Sequence, residues 1–242
     1  MKEAYKENGT NKKKSNAKYW LFVARFFGVF VLLFIAAFIY HKVTKMIPSE
    51  HFDDQMITIQ TKDMSKSSSL SFREFGYYIL VMEKDVQETA CAYDPKQPTS
   101  YWNLYIGSED NKVGYVRNLA KEYAVSYAVR DLIYEEEAEK AGFQMDTQQR
   151  EDAEMDGRDM LSDFFSEEKL AAVGMDEEAF LQMAVRVANG QAYITSLVDQ
   201  GYSPEELEVG GSYYEKLLEQ YQTEVNQSIY DEIIFGSITV NQ

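Results

Sequence analysis

One window of the sequence has the residue types and spacing of a calcium-binding loop. The residues at loop positions 1, 3, 5, 6 and 12 of DAEMDGRDMLSD (152–163) are Asp152, Glu154, Asp156, Gly157 and Asp163. Three features disagree with such a loop: the longer Glu at position 3, the shorter Asp at position 12, and Asp159 at position 8, which is normally aliphatic. The window also continues a helical pattern without a break. We therefore predict the acidic face of an unbroken helix here, without bound metal.

No other group of residues suggests catalysis. Cys91 is the one cysteine, so no internal disulfide is expected, and His41 and His51 have no spacing that suggests zinc. The sequence contains no nucleophile elbow, no phosphate-binding loop and no H-E-x-x-H motif. Both histidines precede the region that we predict to fold, which argues against a histidine general base. We predict that the protein is not an enzyme and uses no cofactor or metal.

The charge of the chain is unevenly distributed. The 242 residues contain 24 Lys and Arg against 40 Asp and Glu, a net charge of −16. Residues 1–18 hold six Lys and two Glu, a net of +4, whereas residues 41–242 hold 17 basic and 38 acidic residues, a net of −21. Because nucleic-acid binding needs a basic footprint, we exclude it for the main body of the chain.

Between these regions, residues 20–40 (WLFVARFFGVFVLLFIAAFIY) are apolar apart from Arg25. As a helix they would span about 31 Å, the thickness of a bilayer core. The residues that follow, IYHKVTKMIP, make a poor signal-peptidase site. A buried core helix of this length is not normally apolar all round. We therefore predict a retained transmembrane helix.

The predicted organisation places the bulk of the chain outside the cytoplasm. Residues 1–18 form a cytoplasmic basic tail by the positive-inside rule, and residues 19–40 form the transmembrane helix. Residues 41–55 are a polar connector, and residues 56–242 are an extracytoplasmic domain.

Hydrophobic periodicity predicts a mainly helical domain with a small sheet. MITIQT (56–61) alternates like a strand and is followed by the loop DMSKSSS. Ser71 and Glu74 form the capping box of a first helix. Its core stripe contains Phe72, Phe75, Ile79, Met82, Val86 and Ala90.

Further helices are predicted along the rest of the chain. A long helix runs from about 112 to 141 with Gly142 as its C′ residue, and we expect Glu135, Glu136 and Glu137 in it to be a solvated patch. A third helix capped by Asp146 and Gln149 runs to about Phe165, and Asp176 caps a fourth. Residues 212–234 read as one last helix after a turn capped by Ser203. Residues 237–240 are predicted to pair with 56–60, which gives a two-stranded sheet formed by the ends of the domain.

The order of these elements resembles the chaperone domain of the SurA, PpiD and PrsA group of extracytoplasmic folding factors. The similarity covers about 57–240 and rests on SLSFREFGYYI, on YW…NKVGYVRNLAKEYAVSYAVRDLIYEEEAEKAGF and on DEEAFLQMAVRVANGQAYI with SPEELEVGGSYYEKLLEQY. The resemblance implies a bacterial, membrane-anchored domain that binds unfolded or newly translocated polypeptides. Members of the group commonly continue from the YYEK-like helix into a parvulin prolyl-isomerase domain. Here FGSITVNQ follows and residues 143–200 are helical in pattern, so we expect no isomerase activity.

A client-binding module needs exposed apolar or aromatic side chains. The candidate peptide-binding residues on the first helix and the following loop are Tyr77, Tyr78, Val81, Tyr101 and Tyr105. The alternative, that these side chains pack the core or fix the loop, is favoured for the residues of the first helix and more strongly for Trp102. A second function also stays open, in which the domain is a scaffold or accessory subunit for one dedicated envelope protein.

Overall fold

The computed structural model describes residues 49–107, 112–238 and 240. These residues lie within one compact unit of the chain, residues 47–242. The predicted cytoplasmic tail, the predicted transmembrane helix at 19–40 and residues 108–111 lie outside the described residues. Of the helices in the described ranges, none combines the length and the apolar composition of a membrane span.

A three-stranded antiparallel sheet lies at one side of the helices. Strand β1 (Gln55–Thr61) is central and is flanked by β2 (Ser67–Ser71) and β5 (Tyr221–Val225). The first strand is confirmed, and its Ile57 and Ile59 are fully buried. The predicted pairing of residues 56–60 with 237–240 was wrong. In β1, Ile57 pairs with Leu70 of β2 and with Val225 of β5, so both edges of β1 are occupied.

Two features of the sequence explain this difference. Residues 67–69 end the predicted loop DMSKSSS, but they belong to β2 and pair with β1 across a turn in which the Asp63 carboxylate accepts hydrogen bonds from Thr61 and Ser65. YQTEV (221–225) alternates like a strand and is followed by Asn226, a helix N-cap. The predicted last helix therefore divides into α7 (Ser212–Leu218), β5 and α8 (Gln227–Glu232).

The first long helix, α1 (Phe72–Tyr93), begins at the predicted capping box of Ser71 and Glu74. Its core stripe is confirmed, because four of its members are buried and two pack against the core at partial exposure. The second long helix, α2 (Val116–Lys140), packs against α1. It starts later than expected because residues 113–115 belong to a hairpin. It ends at Lys140, and Gly142, the predicted C′ residue, has φ +65°.

Three helices follow α2: α3 (Thr147–Phe164), α4 (Glu167–Ala172) and α5 (Glu177–Asp199). The predicted caps Asp146 and Asp176 are confirmed. Helix α3 passes through Gly157 without interruption, so residues 152–163 do not form a loop. Helix α5 packs against both α2 and α3, and α6 (Pro204–Leu207) follows it.

The C-terminal segment packs on α1 instead of joining the sheet. Its apolar side chains at Ile233, Phe235 and Ile238 are buried. The fully buried carboxylate of Glu83 accepts hydrogen bonds from the backbone N–H groups of residues 236, 237 and 238, at 2.6, 3.3 and 3.3 Å. These bonds satisfy backbone donors that a strand pairing would otherwise have satisfied.

Candidate polypeptide-binding surface

A short antiparallel hairpin carries the clearest exposed apolar surface of the described residues. It consists of β3 (Tyr105–Gly107) and β4 (Val113–Tyr115). Tyr105 pairs with Tyr115 and Gly107 pairs with Val113, so their side chains share one face. Tyr105, Val113 and Tyr115 are 65%, 62% and 50% exposed. We call these three side chains the hairpin face.

The opposite side of the hairpin explains why this face points outward. Ile106 is half-buried and packs against the core, which fixes the orientation of β3. The rings of Tyr105 and Tyr115 lie edge to face with centroids 5.3 Å apart. Such aromatic pairs have a favourable geometry, so the two rings support each other while remaining exposed.

The hairpin is attached to the helices through a buried and hydrogen-bonded base. A 3₁₀ turn at Pro98–Asn103 precedes it and buries Trp102, which is 1% exposed. The indole N–H of Trp102 donates to Oε1 of Gln87 on α1 at 3.0 Å. At the other end, the backbone N–H of Val116 donates to the carbonyl of Leu104 at 2.9 Å. Trp102 therefore fixes the loop, as the alternative interpretation of this residue predicted.

The candidate residues fall into two groups in the structure. Tyr105 belongs to the hairpin face, and Tyr101 is half-buried with its ring 5.4 Å from that of Tyr93, which is 62% exposed. Both residues thus offer aromatic surface to a partner.

The three candidates on α1 lie in different surroundings. Tyr78 is 7% exposed, and its hydroxyl donates to Asp131 of α2 at 3.2 Å. The ring of Tyr77 lies 5.2 Å from that of Phe180, and burial raises the pKa of Tyr77 to about 12. Val81 is half-buried. Tyr78 is therefore a core residue that joins α1 to α2 and offers no peptide-accessible surface in this structure.

A polar network joins the three long helices beneath these aromatics. Asp131 is buried and accepts two hydrogen bonds from Arg130, at 3.0 and 2.9 Å, and one from Gln191 of α5 at 3.2 Å. Burial raises the pKa of Asp131, and the Arg130 guanidinium opposes that shift. A second cation, Arg186, donates two bonds of 2.7 Å to Glu135 and one of 3.0 Å to Glu74.

The prediction that residues 135–137 form a solvated patch was wrong. Glu136 is 7% exposed, and its neighbours are half-buried. The reason is tertiary: Arg186 of α5 neutralises Glu135, while β2 contributes the Ser68 hydroxyl, which donates to Glu136. Neither partner is near α2 in sequence, so helical periodicity gave no signal for them.

A cavity of about 320 Å³ opens beside this part of α2. We call it the acidic cavity. Its walls include Ser68, Glu135, Glu136, Glu139, Phe143 and Arg186. Within the described ranges, no group of three or more His, Cys, Asp or Glu side chains has an arrangement suited to a metal ion.

Comparison with known proteins identifies no relative. No family model, no curated protein and no solved structure matches the chain. The similarity to the SurA, PpiD and PrsA group therefore stays a prediction from the quoted motifs.

The hairpin face was only partly predictable. Tyr105 was identified from its aromatic loop context, but Val113 and Tyr115 were assigned to a helix. The alternation of apolar and small residues in YIG and VGY, around the polar stretch SEDN, is the signal that indicates a hairpin.

Proposed function

We propose that the protein is a membrane-anchored, extracytoplasmic chaperone-like protein that binds unfolded or newly translocated polypeptides. The observation that carries the proposal is the hairpin face, where three large apolar side chains are at least half exposed. Exposed apolar groups that cluster on one face are typical of sites that bind other proteins.

The net charge of the region outside the predicted membrane helix favours basic or unfolded clients. Residues 41–242 carry a net charge of −21. Acidic surroundings attract basic segments and also limit self-association of the exposed apolar groups.

The proposed function does not include prolyl-isomerase activity. Residues 147–199 form three helices, which supports the expectation that no mixed α/β isomerase domain is inserted there. Sequestering apolar segments requires only a surface, whereas isomerisation requires a pocket fitted around an X–Pro bond whose barrier is about 18–20 kcal/mol.

An aggregation assay tests the client-binding function. The intact protein should slow aggregation of an unfolded protein at near-stoichiometric amounts, without accelerating prolyl isomerisation. The double variant Tyr105→Ser/Tyr115→Ser should lose most of this effect. The matched control Met64→Ser/Met155→Ser removes two apolar side chains that are 72% and 55% exposed elsewhere, and it should retain activity. Equal loss in both variants would contradict a role for the hairpin face.

A second function is favoured by the fixed geometry of the same face. Two rings in edge-to-face contact at 5.3 Å form a small, defined patch, which suits one matched partner better than many. The alternative is thus a membrane-anchored scaffold or accessory subunit that binds one dedicated envelope protein.

Crosslinking in living cells separates the two functions. A photoreactive residue in place of Tyr105 should capture many proteins if the domain binds clients, and one protein if it is a scaffold. The same residue in place of Asp156, which is exposed on α3, provides the background.

The membrane anchor is tested by topology. The proposal places residues 1–18 in the cytoplasm and residues 41–242 outside, so protease added to cells without their wall should digest the bulk of the chain. A secreted form that begins near residue 41 would contradict the anchor.

A further inference from the structure

One edge of the three-stranded sheet is open. The strand order is β2-β1-β5, so within the described residues β5 has a neighbouring strand on one side only. The other outer strand, β2, lies beside α2, where the Ser68 hydroxyl donates to Glu136. On β5 the three central residues are exposed, and they are Gln222, Thr223 and Glu224. The outer edge of β5 is therefore accessible to another chain.

The ladder between β1 and β5 shows which backbone groups face this edge. The N–H of Asn226 donates to the carbonyl of Met56 at 2.9 Å, and the N–H of Lys62 donates to the carbonyl of Gln220 at 3.0 Å. Because hydrogen-bonded pairs alternate along an antiparallel ladder, the even-numbered residues of β5 bond to β1. The odd-numbered residues point their N–H and C=O groups away from β1. These are Tyr221, Thr223 and Val225.

The sequence of β5 does little to block this edge. Natural proteins commonly protect an exposed edge strand with proline, lysine or a bulge, because its free donors and acceptors pair readily with other strands. YQTEV (221–225) has no proline or lysine, and Glu224 is its one charged residue. Its pairing with β1 is regular, whereas the pairing of β2 with β1 shifts register between Gln55 and Ile57. The outward groups of β5 match those of another extended backbone.

The side chains of β5 are complementary to themselves in one register. When two β5 strands lie antiparallel with Thr223 opposite Thr223, Tyr221 lies opposite the second copy's Val225, and Gln222 lies opposite its Glu224. Thr–Thr and aromatic–β-branched pairs are favourable across strands, and an amide donates to a carboxylate. The outward-facing residues also lie opposite one another in this register, so each pair exchanges both of its N–H···O bonds.

We propose that two copies of this chain form a dimer in which their β5 edges pair antiparallel about Thr223. The two sheets then become one continuous sheet. The inference does not rest on client binding, because β5 and the hairpin face share no residue. A single strand pair buries little surface, so we expect a weak dimer, which crosslinking detects more readily than chromatography.

The negative charge of each copy determines how this dimer responds to salt. Residues 41–242 carry a net charge of −21, and the two Glu224 side chains are diagonal neighbours, roughly 7–8 Å apart, in the proposed register. The Debye length is about 8 Å at physiological ionic strength, so added salt should strengthen the dimer.

Disulfide crosslinking of the full-length protein in detergent tests the register. The protein carries Cys91→Ser, which removes the exposed native thiol, together with Thr223→Cys. Opposite residues of a hydrogen-bonded antiparallel pair have Cα atoms about 5.5 Å apart, which a disulfide can span, so mild oxidation should give a covalent dimer. The control is Gln222→Cys in the same background. Its two copies are diagonal neighbours roughly 7–8 Å apart, so it should give at least fivefold less dimer.

A proline variant separates pairing at this edge from association through other surfaces. The N–H of Thr223 points away from β1, and proline is tolerated in an edge strand at such a position. Thr223→Pro should therefore keep the native urea midpoint and weaken association at least tenfold, as measured by sedimentation equilibrium in detergent. Glu224→Gln removes the diagonal repulsion and should strengthen association several-fold, which provides a second readout that does not depend on how well the proline variant folds.

The outcomes that would overturn the dimer are specific. Equal crosslinking of Thr223→Cys and Gln222→Cys would show contact without the proposed register. In cells, crosslinking of Thr223→Cys to a different protein and not to a second copy would mean that a client strand covers β5. Tyr105→Ser/Tyr115→Ser should leave the dimer unchanged, so failure of the hairpin proposal and failure of this one are distinguishable.

Discussion

The C-terminal half of α2 and the middle of α3 are both rich in carboxylates, yet the two regions differ in every other respect. On α2, Asp131 and Glu136 are buried, and each contacts a residue of another element. On α3, Asp152, Asp156 and Asp159 are exposed, and none of them bonds to another element in the described residues. Acidic residues on α2 therefore connect that helix to other elements, whereas those on α3 only face the solvent.

The difference follows from the cations that surround each helix. Arg186 of α5 and Lys66, just before β2, reach the acids of α2 from elements that are distant in sequence. The ion pair of α3, between Glu154 and Arg158, stays within one turn of the helix. An acidic helix face can pack against other elements only where the fold brings cations or hydroxyl donors to it, because burying an unpaired charge is very costly.

The largest expected effect is at Asp131. Asp131→Ala removes the acceptor of the Tyr78 hydroxyl and the Oδ1 atom that accepts two bonds from Arg130, whose side chain is 11% exposed. We expect a loss of about 3 kcal/mol in the free energy of unfolding, measured with urea, because a buried charge is left under-compensated.

Asp156→Ala on α3 is the matched control and should change the same quantity by less than about 0.5 kcal/mol. A loss below about 1 kcal/mol for Asp131→Ala would mean that Glu208, which also bonds Arg130 at 2.5 Å, suffices as its partner.

The second largest expected effect is at Gly157, which matches position 6 of a calcium-binding loop in the sequence. A Cβ at Gly157 would lie 3.0 Å from Leu181 Cδ2 and 3.2 Å from Ala184 Cβ, so this glycine allows α3 to approach α5. Gly157→Leu should destabilise the protein by about 2 kcal/mol, since overpacking at this interface exceeds the roughly 1 kcal/mol gained in helix propensity.

The exposed substitution Met155→Leu on the same helix should be nearly neutral in the same measurement. Calcium should not raise the melting temperature of the native protein. A calcium-dependent rise that Gly157→Leu abolishes would restore the loop interpretation.

Local signals in the sequence predicted much of the fold. The capping residues Ser71, Asp146 and Asp176 and the C′ glycine Gly142 mark helix ends through contacts within a few residues, and all of them are confirmed. Strand pairing depended on contacts that span the chain. The pairing of Ile57 with Val225 joins segments 168 positions apart, and the Glu83 carboxylate that holds the C-terminal segment lies inside an apolar helix stripe.

The candidate site was predictable to a smaller extent for the same reason. Exposure of Tyr105 and burial of Tyr78 depend on which elements pack over them, and a helix such as α1 that is covered on several sides buries residues outside its main stripe. Periodicity identifies the stripe, whereas the position of α2 against α1 decides the rest.

The third effect is a change in acid-base behaviour at the end of α2. The hydrogen bond from Lys66 lowers the pKa of Glu139 below its ordinary value of 4.5. A lowered pKa in the folded state means that this bond stabilises the protein above about pH 4.5 and is lost as the pH falls through the folded-state pKa. Lys66→Met should therefore raise the pKa of Glu139 toward 4.5, as measured by carboxyl-carbon NMR titration.

The control for this titration is Lys62→Met, because Lys62 is exposed in the same turn region. It should leave the pKa of Glu139 unchanged. An equal shift in both variants would mean that the general loss of positive charge, and not the bond from Lys66, sets the pKa of Glu139.

The smallest effect is the coupling energy of the ion pair on α3. Glu154 and Arg158 are spaced i, i+4, their closest charged atoms are 3.1 Å apart, and their side chains are 41% and 63% exposed. A double-mutant cycle with alanine should give a coupling energy of about 0.3–0.5 kcal/mol that decreases with salt. The same cycle on Glu135 and Arg186, whose side chains are 32% and 27% exposed and joined by two bonds of 2.7 Å, should give a clearly larger and less salt-sensitive value. Equal coupling energies at the two pairs would show that a partner from another element does not strengthen the ion pair. The acidic residues of α2 and α3 would then differ only in their exposure.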